Sequence, residues 1–384
     1  MASDERIAAT ASPADAGRAA APEAVRSLIE TRIAEDPDDG EAWMVYGDLL
    51  QKLGDPRGEL MALQTAAEAQ RAANPKARGG AVLAVTKHFA RHAPALLGPL
   101  AQFVTSSELD QPPFRWKHGF IHRAELDDKI LPILETLVGH PSGRLLVELA
   151  IQAASQDPML AILERAAPRS LRELDLVVKA PLEVPAELWP RLPGLRRLAL
   201  TAQQLELRGL ALPELQRARF LALAMSPRCV RAIATAPWPK LERLELRIGS
   251  RLGVIAAAFE DLQPVFQRRD LPQLTHLKIR GAAFAGAIAR AVAESPLVAQ
   301  LHVLDLSHGT LTPQDVKVLG LAKSRFTNLR ELWVPAGAMW GDGAQQLAGI
   351  AKHVISDARA PLDTLERDLG AEATAPDRYE EDME

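Results

Sequence analysis

Two histidine pairs have the residue type and spacing that could hold a metal ion. His88 and His92 stand four residues apart in KHFARH, a spacing that would place both on one face of a helix. His118 and His122 have the same spacing, but we expect them to span a turn into a strand. A zinc site needs three or four ligands, and the single cysteine, Cys229, is distant in the sequence. We therefore expect solvated histidines and no metal or other cofactor.

Motifs for nucleophilic or phosphate chemistry are absent from the sequence. It contains no GxSxG, HExxH, protein-kinase or dinucleotide-binding glycine pattern, and no phosphate loop of the form GxxxxGK[ST]. Cys229 lies within an apolar helical pattern, which favours a small buried side chain over a nucleophile. The sequence therefore predicts a protein that is not an enzyme.

Basic side chains are concentrated in the middle of the chain, where they could recognise an acidic surface. The whole chain has a net charge of −4, yet residues 195–280 contain 15 Lys or Arg and 7 Asp or Glu. The segment 377–384, DRYEEDME, contains five acids and one base. This division disfavours a global nucleic-acid binder and permits a local basic face.

The composition, 47% hydrophobic and 24% charged, is that of a soluble globular protein. No apolar run approaches the roughly 18 residues that a membrane helix needs. Residues 1–24 have acids early and lack the continuous apolar segment of a secretory signal. A single cysteine rules out an intrachain disulfide, which agrees with a reducing compartment. We predict a cytoplasmic protein without a membrane segment.

A repeated LxxLxL pattern would position the basic side chains. The clearest copies are LRELDL (171–176), LRRLAL (195–200), LERLEL (241–246), LTHLKI (274–279), LHVLDL (301–306) and LRELWV (329–334). With weaker copies, the repeats start at 121, 146, 171, 195, 215, 241, 274, 301 and 329, which gives steps of 20 to 33 residues. The fourth and sixth positions share one face of a strand, and the residues between them point to the other face.

Amphipathic stretches between the copies predict helices. SPRCVRAIATAPW and TPQDVKVLGLAKSRF each begin with a capping Ser or Thr followed by proline at the first helical position. We also predict helices in VIAAAFEDLQPVFQRRD, AFAGAIARAVAESP and DGAQQLAGIAKHVISDAR. The stretch KAPLEVPAELWPRLPG has too many prolines for more than a turn or two.

Residues 119–356 therefore resemble a leucine-rich-repeat solenoid of the helix-backed, ribonuclease-inhibitor-like kind. The resemblance implies an α/β fold class, with parallel strands on the inner face and helices outside. The family's Asn or Cys at the ninth repeat position is missing. That position holds Lys179, Gln203, Leu223, Gly249, Ala282, Gly309 and Gly337. We therefore expect irregular turns.

The segment WMVYGDLLQKLGDPRGELMALQ (43–64) precedes the repeats. It begins like a tetratricopeptide unit, but no second copy follows, and such arrays need about three. It resembles instead the small repeat-companion domain at the N-terminus of bacterial leucine-rich-repeat proteins. In GDPRGE we expect Gly54 to end one helix, Asp55 to cap the next, and Pro56 to begin it. We expect Arg57 to pair with Asp48 or Glu59, or to project outward.

Five regions follow from these patterns. They are a disordered N-terminal tail (1–22), a helical repeat-companion module (23–75), connecting helices or N-terminal cap (76–118), the solenoid (119–356) and an acidic, largely disordered tail (357–384). We expect the helical module to cap the apolar end of the solenoid.

The basic positions on the inner strand face are the candidate binding site. The candidate partner-binding residues are Arg197, Arg217, Arg219, Arg243, Arg247, Lys278, Arg280 and Trp333. Acids such as Glu148, Glu173 and Asp175 flank them, so charge pairing across strands, for example Glu173 with Arg197, is the alternative interpretation.

Two functions remain open at this point. The first is a non-enzymatic scaffold that binds an unknown protein with an acidic surface through the inner strand face. The second is binding of nucleic acid or a phosphate ligand through the basic 195–280 face. Few aromatic side chains on the exposed strand positions could stack on bases, which disfavours nucleic acid. The sequence does not determine the oligomeric state.

Overall fold

The computed structural model describes residues 13–74, 79–104, 112–248 and 257–357. The predicted C-terminal tail lies outside these residues except for Asp357, and so does the first part of the predicted N-terminal tail. A helix begins at Pro13, inside the range for which we expected disorder. The chain divides into two compact units, residues 1–122 with 140–146, and residues 123–139 with 147–384.

The first unit is mainly helical. Its elements are α1 (Pro13–Glu35), α2 (Gly40–Lys52), α3 (Pro56–Ala73), α4 (Gly80–Leu97), α5 (Ala101–Val104), β1 (Phe114–Lys117) and the beginning of β2 (Phe120–Leu126). Trp43 and Tyr46 of α2 are buried in its core with Ile33 and Phe120. These two aromatic residues of segment 43–64 therefore act as packing residues.

The joint between α2 and α3 has the predicted backbone chemistry. Gly54 has a φ of 70°, and Asp55 accepts a hydrogen bond from the backbone N–H of Arg57. Pro56 is the first residue of α3, where a missing N–H breaks no helical hydrogen bond. The expectation for Arg57 was wrong: its Nε donates to Asp55 at 2.8 Å, and its guanidinium lies 5.2 Å from the Phe120 ring centre.

The second unit continues β2 and adds ten strands and seven helices within the part of the chain that the structure describes. The strands are β3 (Glu148–Ala153), β4 (Glu173–Val178), β5 (Leu182–Val184), β6 (Arg197–Leu207), β7 (Arg217–Met225), β8 (Arg243–Ile248), β9 (His276–Arg280), β10 (Val303–Asp305), β11 (Glu331–Pro335) and β12 (His353–Asp357). The helices are α6 (Leu134–Gly139), α7 (Met159–Ala166), α8 (Pro227–Thr235), α9 (Phe259–Gln267), α10 (Ala285–Glu294), α11 (Pro313–Leu321) and α12 (Gly343–Leu347).

The strands of the second unit form one parallel ladder. The order is β2-β3-β4-β6-β7-β8-β9-β10-β11-β12, with β5 paired to the second half of β6. The leucines of the repeat pattern are buried along each strand, for example Leu174, Leu198 and Leu244, at 2% exposure or less. Residues between them are mostly half-buried on the opposite face of the sheet. The pattern therefore separates a packed face from an accessible one.

The last repeat differs from our expectation. We predicted a helix throughout DGAQQLAGIAKHVISDAR, but α12 ends at Leu347 and His353–Asp357 forms β12, parallel to β11. Gly349 adopts a φ of 78°, which interrupts the helical path. The β-branched Val354 and Ile355 then suit a strand, and they pair with the backbone of β11.

Candidate functional site

The strand register aligns side chains of successive repeats into rows. We call the sheet surface formed by residues that alternate with the buried leucines the strand face. Its first row is Arg123, Glu148, Glu173, Arg197, Arg217, Arg243, His276, Val303 and Glu331. Its second row is Glu125, Ala150, Asp175, Ala199, Arg219, Glu245, Lys278, Asp305 and Trp333. Neighbours within a row lie about 4.8 Å apart in the ladder direction.

Three of the predicted site residues form ion pairs across strands. Arg197 Nη1 lies 3.2 Å from a carboxylate oxygen of Glu173. Arg219 lies 3.9 Å from Glu245, and Arg280 lies 3.3 Å from the same carboxylate. Arg280 also pairs with a further acid on β10, at 2.8 Å. Charge pairing therefore explains part of the basic pattern.

Arg217 and Arg243 differ from these three. They are Cα partners on β7 and β8, both half-buried. Among the described residues, neither side chain makes a hydrogen bond or an ion pair. Like charges directly opposite each other on adjacent strands destabilise a sheet. This pair is thus an electrostatic cost in the folded chain, and an anion placed between the two guanidinium groups would offset it.

The other predicted site residues lie on the same sheet but in different surroundings. Arg247, in a third row beside Arg280, is only 9% exposed, so it offers little accessible surface. Lys278 is half-buried and forms no ion pair within the described part of the chain. Trp333 lies three strands from Arg243 and donates from Nε1 to Glu331 at 3.1 Å. The register brings all eight residues onto one sheet, but only part of the set is available to a ligand.

His276 reports on the electrostatics around the two arginines. It follows Arg243 in the first row. Burial, and then the positive charges of Arg243, Lys278 and Arg217 together with His302, lower the pKa of His276 to about 4. The imidazole is therefore neutral at physiological pH, and the positive charge here comes from arginine and lysine.

Asp175 is a strand-face residue whose importance we missed in the sequence. Its row neighbours are Ala150 and Ala199, so no long side chain from either adjacent strand in its row covers the carboxylate. Within the described residues it has no hydrogen bond or ion pair. Burial raises its pKa, opposed by the charges of Arg219 and Arg197. The sequence feature that could have indicated this is that the repeats before and after that of Asp175 both have alanine at the same repeat position.

The histidine pairs and the cysteine make packing contacts and hydrogen bonds within the protein. His88 Nε2 lies 2.9 Å from the backbone oxygen of Pro56, and the His118 ring stacks on Trp43 at 4.7 Å. Among the described residues, no group of three His, Cys, Asp or Glu could hold a metal ion. Cys229 is fully buried, and burial raises the pKa of its thiol to about 12. The thiol is therefore protonated at neutral pH and shielded from solvent.

A cavity of about 450 Å³ lies beside the residues that lead into β10, β11 and β12. Its lining includes the basic side chains His302, Arg330 and Lys352 and the buried ring of Phe326. It is a second cationic location on the second unit, distinct in position from Arg217 and Arg243.

The fold of the second unit is that of a leucine-rich-repeat solenoid, as the sequence predicted. It has one parallel strand in each repeat, buried leucines at the repeat positions and helices in the connections. None of the helices that the structure describes is long and apolar enough to span a membrane.

Two solved structures match the chain at low sequence identity. A crystal structure of a protein from Bacteroides fragilis matches with a TM-score of 0.51 at 15% identity, covering 74% of this chain and 84% of that one. The leucine-rich-repeat-containing protein LegL7 from Legionella pneumophila matches at 15% identity over 64% of this chain and 78% of its own. Its TM-score is 0.33. No protein-family description and no curated protein matches the sequence.

Proposed function

We propose that this protein is a non-enzymatic scaffold that binds a partner protein through the strand face, with acidic groups of the partner bound by Arg217 and Arg243. The observation that carries the proposal is that these two arginines are register partners and that, among the described residues, neither makes an ion pair or a hydrogen bond through its side chain. Guanidinium groups bind carboxylates with two parallel hydrogen bonds, which suits them to such recognition.

The paired charges on either side support the proposal. The ion pair of Arg197 with Glu173, and those of Arg280 with Glu245 and Asp305, keep neighbouring cations occupied. An acidic group that approaches this face would therefore find, at β7 and β8, two arginines that are not already held in an ion pair. Electrostatic complementarity of this kind contributes to partner choice and association rate.

Asp175 gives the partner a second expected feature. It lies on β4, three strand spacings or about 14 Å from β8 across the ladder. A lysine or arginine of the partner could reach its carboxylate between Ala150 and Ala199 while an acidic residue binds the two arginines. The proposed partner surface thus carries an acid and a base separated by roughly that distance.

Nucleic-acid binding is the competing function. Arg217 and Arg243 favour any polyanion, but the acids on the flanking strands of their row, such as Glu173, and Glu245 in the second row would repel a continuous phosphate backbone. Trp333 is the aromatic member of the proposed site, and its indole N–H already donates to Glu331. These features favour a partner with discrete acidic residues. A cytoplasmic location is part of the same proposal.

An affinity capture experiment with the full chain tests the proposal. The decisive variant is Arg217→Gln with Arg243→Gln, which removes both charges and keeps similar side-chain size. Arg228→Gln with Arg269→Gln is the matched control, because both arginines are exposed and lie outside the strands. We expect a protein that the wild type and the control capture and that the decisive variant loses. Identical capture by all three proteins would contradict the proposal.

A nucleic-acid column separates the two functions. Retention that falls steeply with salt and is abolished by the decisive variant, without a protein partner lost in parallel, would establish the competing function.

A further inference from the structure

The candidate occupant of the two unpaired arginines is present in this chain. We propose that the acidic segment 377–384, DRYEEDME, docks on Arg217 and Arg243 and competes there with outside ligands. The competition with an outside partner rests on the proposed function. The contact of the segment with the two arginines within one chain can be tested separately.

Charge complementarity is the first argument. Segment 377–384 contains five carboxylate side chains and one arginine, which gives a net charge of −4. Arg217 and Arg243 face each other across β7 and β8 with no ion pair among the described residues. Two carboxylates from Glu380, Glu381 or Asp382 would convert a repulsive arrangement into charge-assisted hydrogen bonds.

The chain can reach the site. The described chain ends at Asp357, in β12, and β7 lies five strand spacings away in the same ladder, about 24 Å. The 19 residues 358–376 connect Asp357 to the acidic segment. Fully extended, they would span roughly 63 Å or more, so the connection leaves ample slack. Tethering also raises the effective concentration of the segment to the millimolar range, so a weak contact would be populated.

A rival location exists nearer to Asp357. The cavity lined by His302, Arg330 and Lys352 is also cationic. We favour Arg217 and Arg243 because they are directly opposed like charges in register, which an anion relieves. The experiment therefore includes Arg330→Gln with Lys352→Gln as a comparison.

The test uses the full chain, a variant that lacks residues 377–384, and a fluorescent synthetic peptide DRYEEDME. Fluorescence anisotropy should show saturable, salt-sensitive binding of the peptide to the shortened protein. Binding should weaken at least tenfold when Arg217→Gln and Arg243→Gln are introduced, and stay unchanged with Arg228→Gln and Arg269→Gln. The full chain should bind the peptide more weakly than the shortened protein, because its own segment competes. A peptide with Asn and Gln in place of Asp and Glu should not bind.

A nuclear magnetic resonance titration of His276 locates the contact. An anion on Arg243 offsets the charge that lowers the pKa of His276, so this pKa should be higher in the full chain than in the shortened protein. Circular dichroism confirms that each variant is folded.

Three outcomes would overturn the inference. They are no peptide binding at 1 mM (a concentration on the order expected for a tethered segment), binding that survives Arg217→Gln with Arg243→Gln, or binding that Arg330→Gln with Lys352→Gln abolishes instead. Capture of an outside partner without any peptide binding removes the inference and leaves the proposed function. Peptide binding without any captured partner removes the proposed function and leaves the inference.

Discussion

Arg217 and Arg243 are Cα partners on adjacent parallel strands, and among the described residues neither side chain makes an ion pair or a hydrogen bond. Their neighbours Arg197 and Arg280 are held by carboxylates at 3.2 Å and 2.8 Å. The same sheet thus contains arginines with an ion pair and arginines without one within a few strands. This contrast makes the role of the pair measurable, because the two kinds of arginine should respond differently to neutral substitution.

Arg243→Gln should not destabilise the variant that lacks residues 377–384, in which the proposed docked segment is absent. Removing one of two opposed like charges relieves their repulsion, so we expect the free energy of unfolding to rise by about 0.5 kcal/mol at low salt. Arg197→Gln is the control, since it breaks the ion pair with Glu173 and should lower stability by up to about 1 kcal/mol. Urea unfolding measures both. A loss of stability in Arg243→Gln as large as in Arg197→Gln would show that Arg243 has a stabilising partner.

Asp175→Asn should stabilise the protein at pH 7. The pKa of Asp175 is raised by burial, so the ionised form is less favourable in the folded state than in the unfolded state. Its charge therefore lowers stability above the ordinary aspartate pKa, and the benefit of asparagine should fade as pH falls from the raised folded pKa towards about 4 and be absent below it. We expect a gain beyond the roughly 0.5 kcal/mol typical of surface changes. Glu148→Gln, which loses an ion pair with Arg123, should show no such gain.

His276 should contribute to acid unfolding between pH 6.5 and 4. Its folded pKa of about 4 lies below the ordinary histidine pKa of 6.5, so the unfolded state binds a proton first as pH falls. Stability is therefore lost through this window, with no further loss from this residue below about pH 4. His276→Gln should flatten the pH dependence of urea midpoints in that window. An unchanged profile would show that His276 titrates normally in the folded protein.

Gly119→Ala should destabilise the first unit by roughly 2 kcal/mol or more. Gly119 has a φ of 74°, in the turn between β1 and β2, and an added Cβ would lie 2.5 Å from the backbone oxygen of Arg57. Gly40→Ala is the control, because nothing lies within 4 Å of its Cβ position and its backbone is unstrained. Thermal unfolding should therefore show a lower midpoint for the first variant only. Equal midpoints would mean that the turn can shift away from Arg57.

The thiol of Cys229 should react only after unfolding. It is fully buried with a pKa of about 12, so both access and thiolate formation are suppressed at pH 8. A maleimide should label the native protein orders of magnitude more slowly than the denatured protein. Arg228→Cys in a Cys229→Ser background gives the accessible reference, since residue 228 is exposed on the same helix. Native labelling as fast as that reference would contradict the burial of Cys229.

The sequence by itself determined the repeat, the direction of its side chains and the chemistry of its joints. Two-residue alternation in LxxLxL places Leu174 and Leu176 in the core and Glu173 and Asp175 on the strand face, whatever follows in the connections. Local rules also govern the α2–α3 joint, where Gly54, Asp55 and Pro56 act through backbone conformation and hydrogen bonds to near neighbours.

The tertiary structure alone decided which charges are compensated. The repeat positions align Arg217 with Arg243. Which ion pair each long side chain forms, however, depends on the conformations of the side chains around it. Glu245 thus serves both Arg219 and Arg280. The strand β12 likewise forms by pairing with the edge of β11, and the sequence of residues 353–357 alone does not show that this edge is available. Burial of Arg247 and isolation of Asp175 arise for the same reason, because both depend on side chains brought together from different repeats.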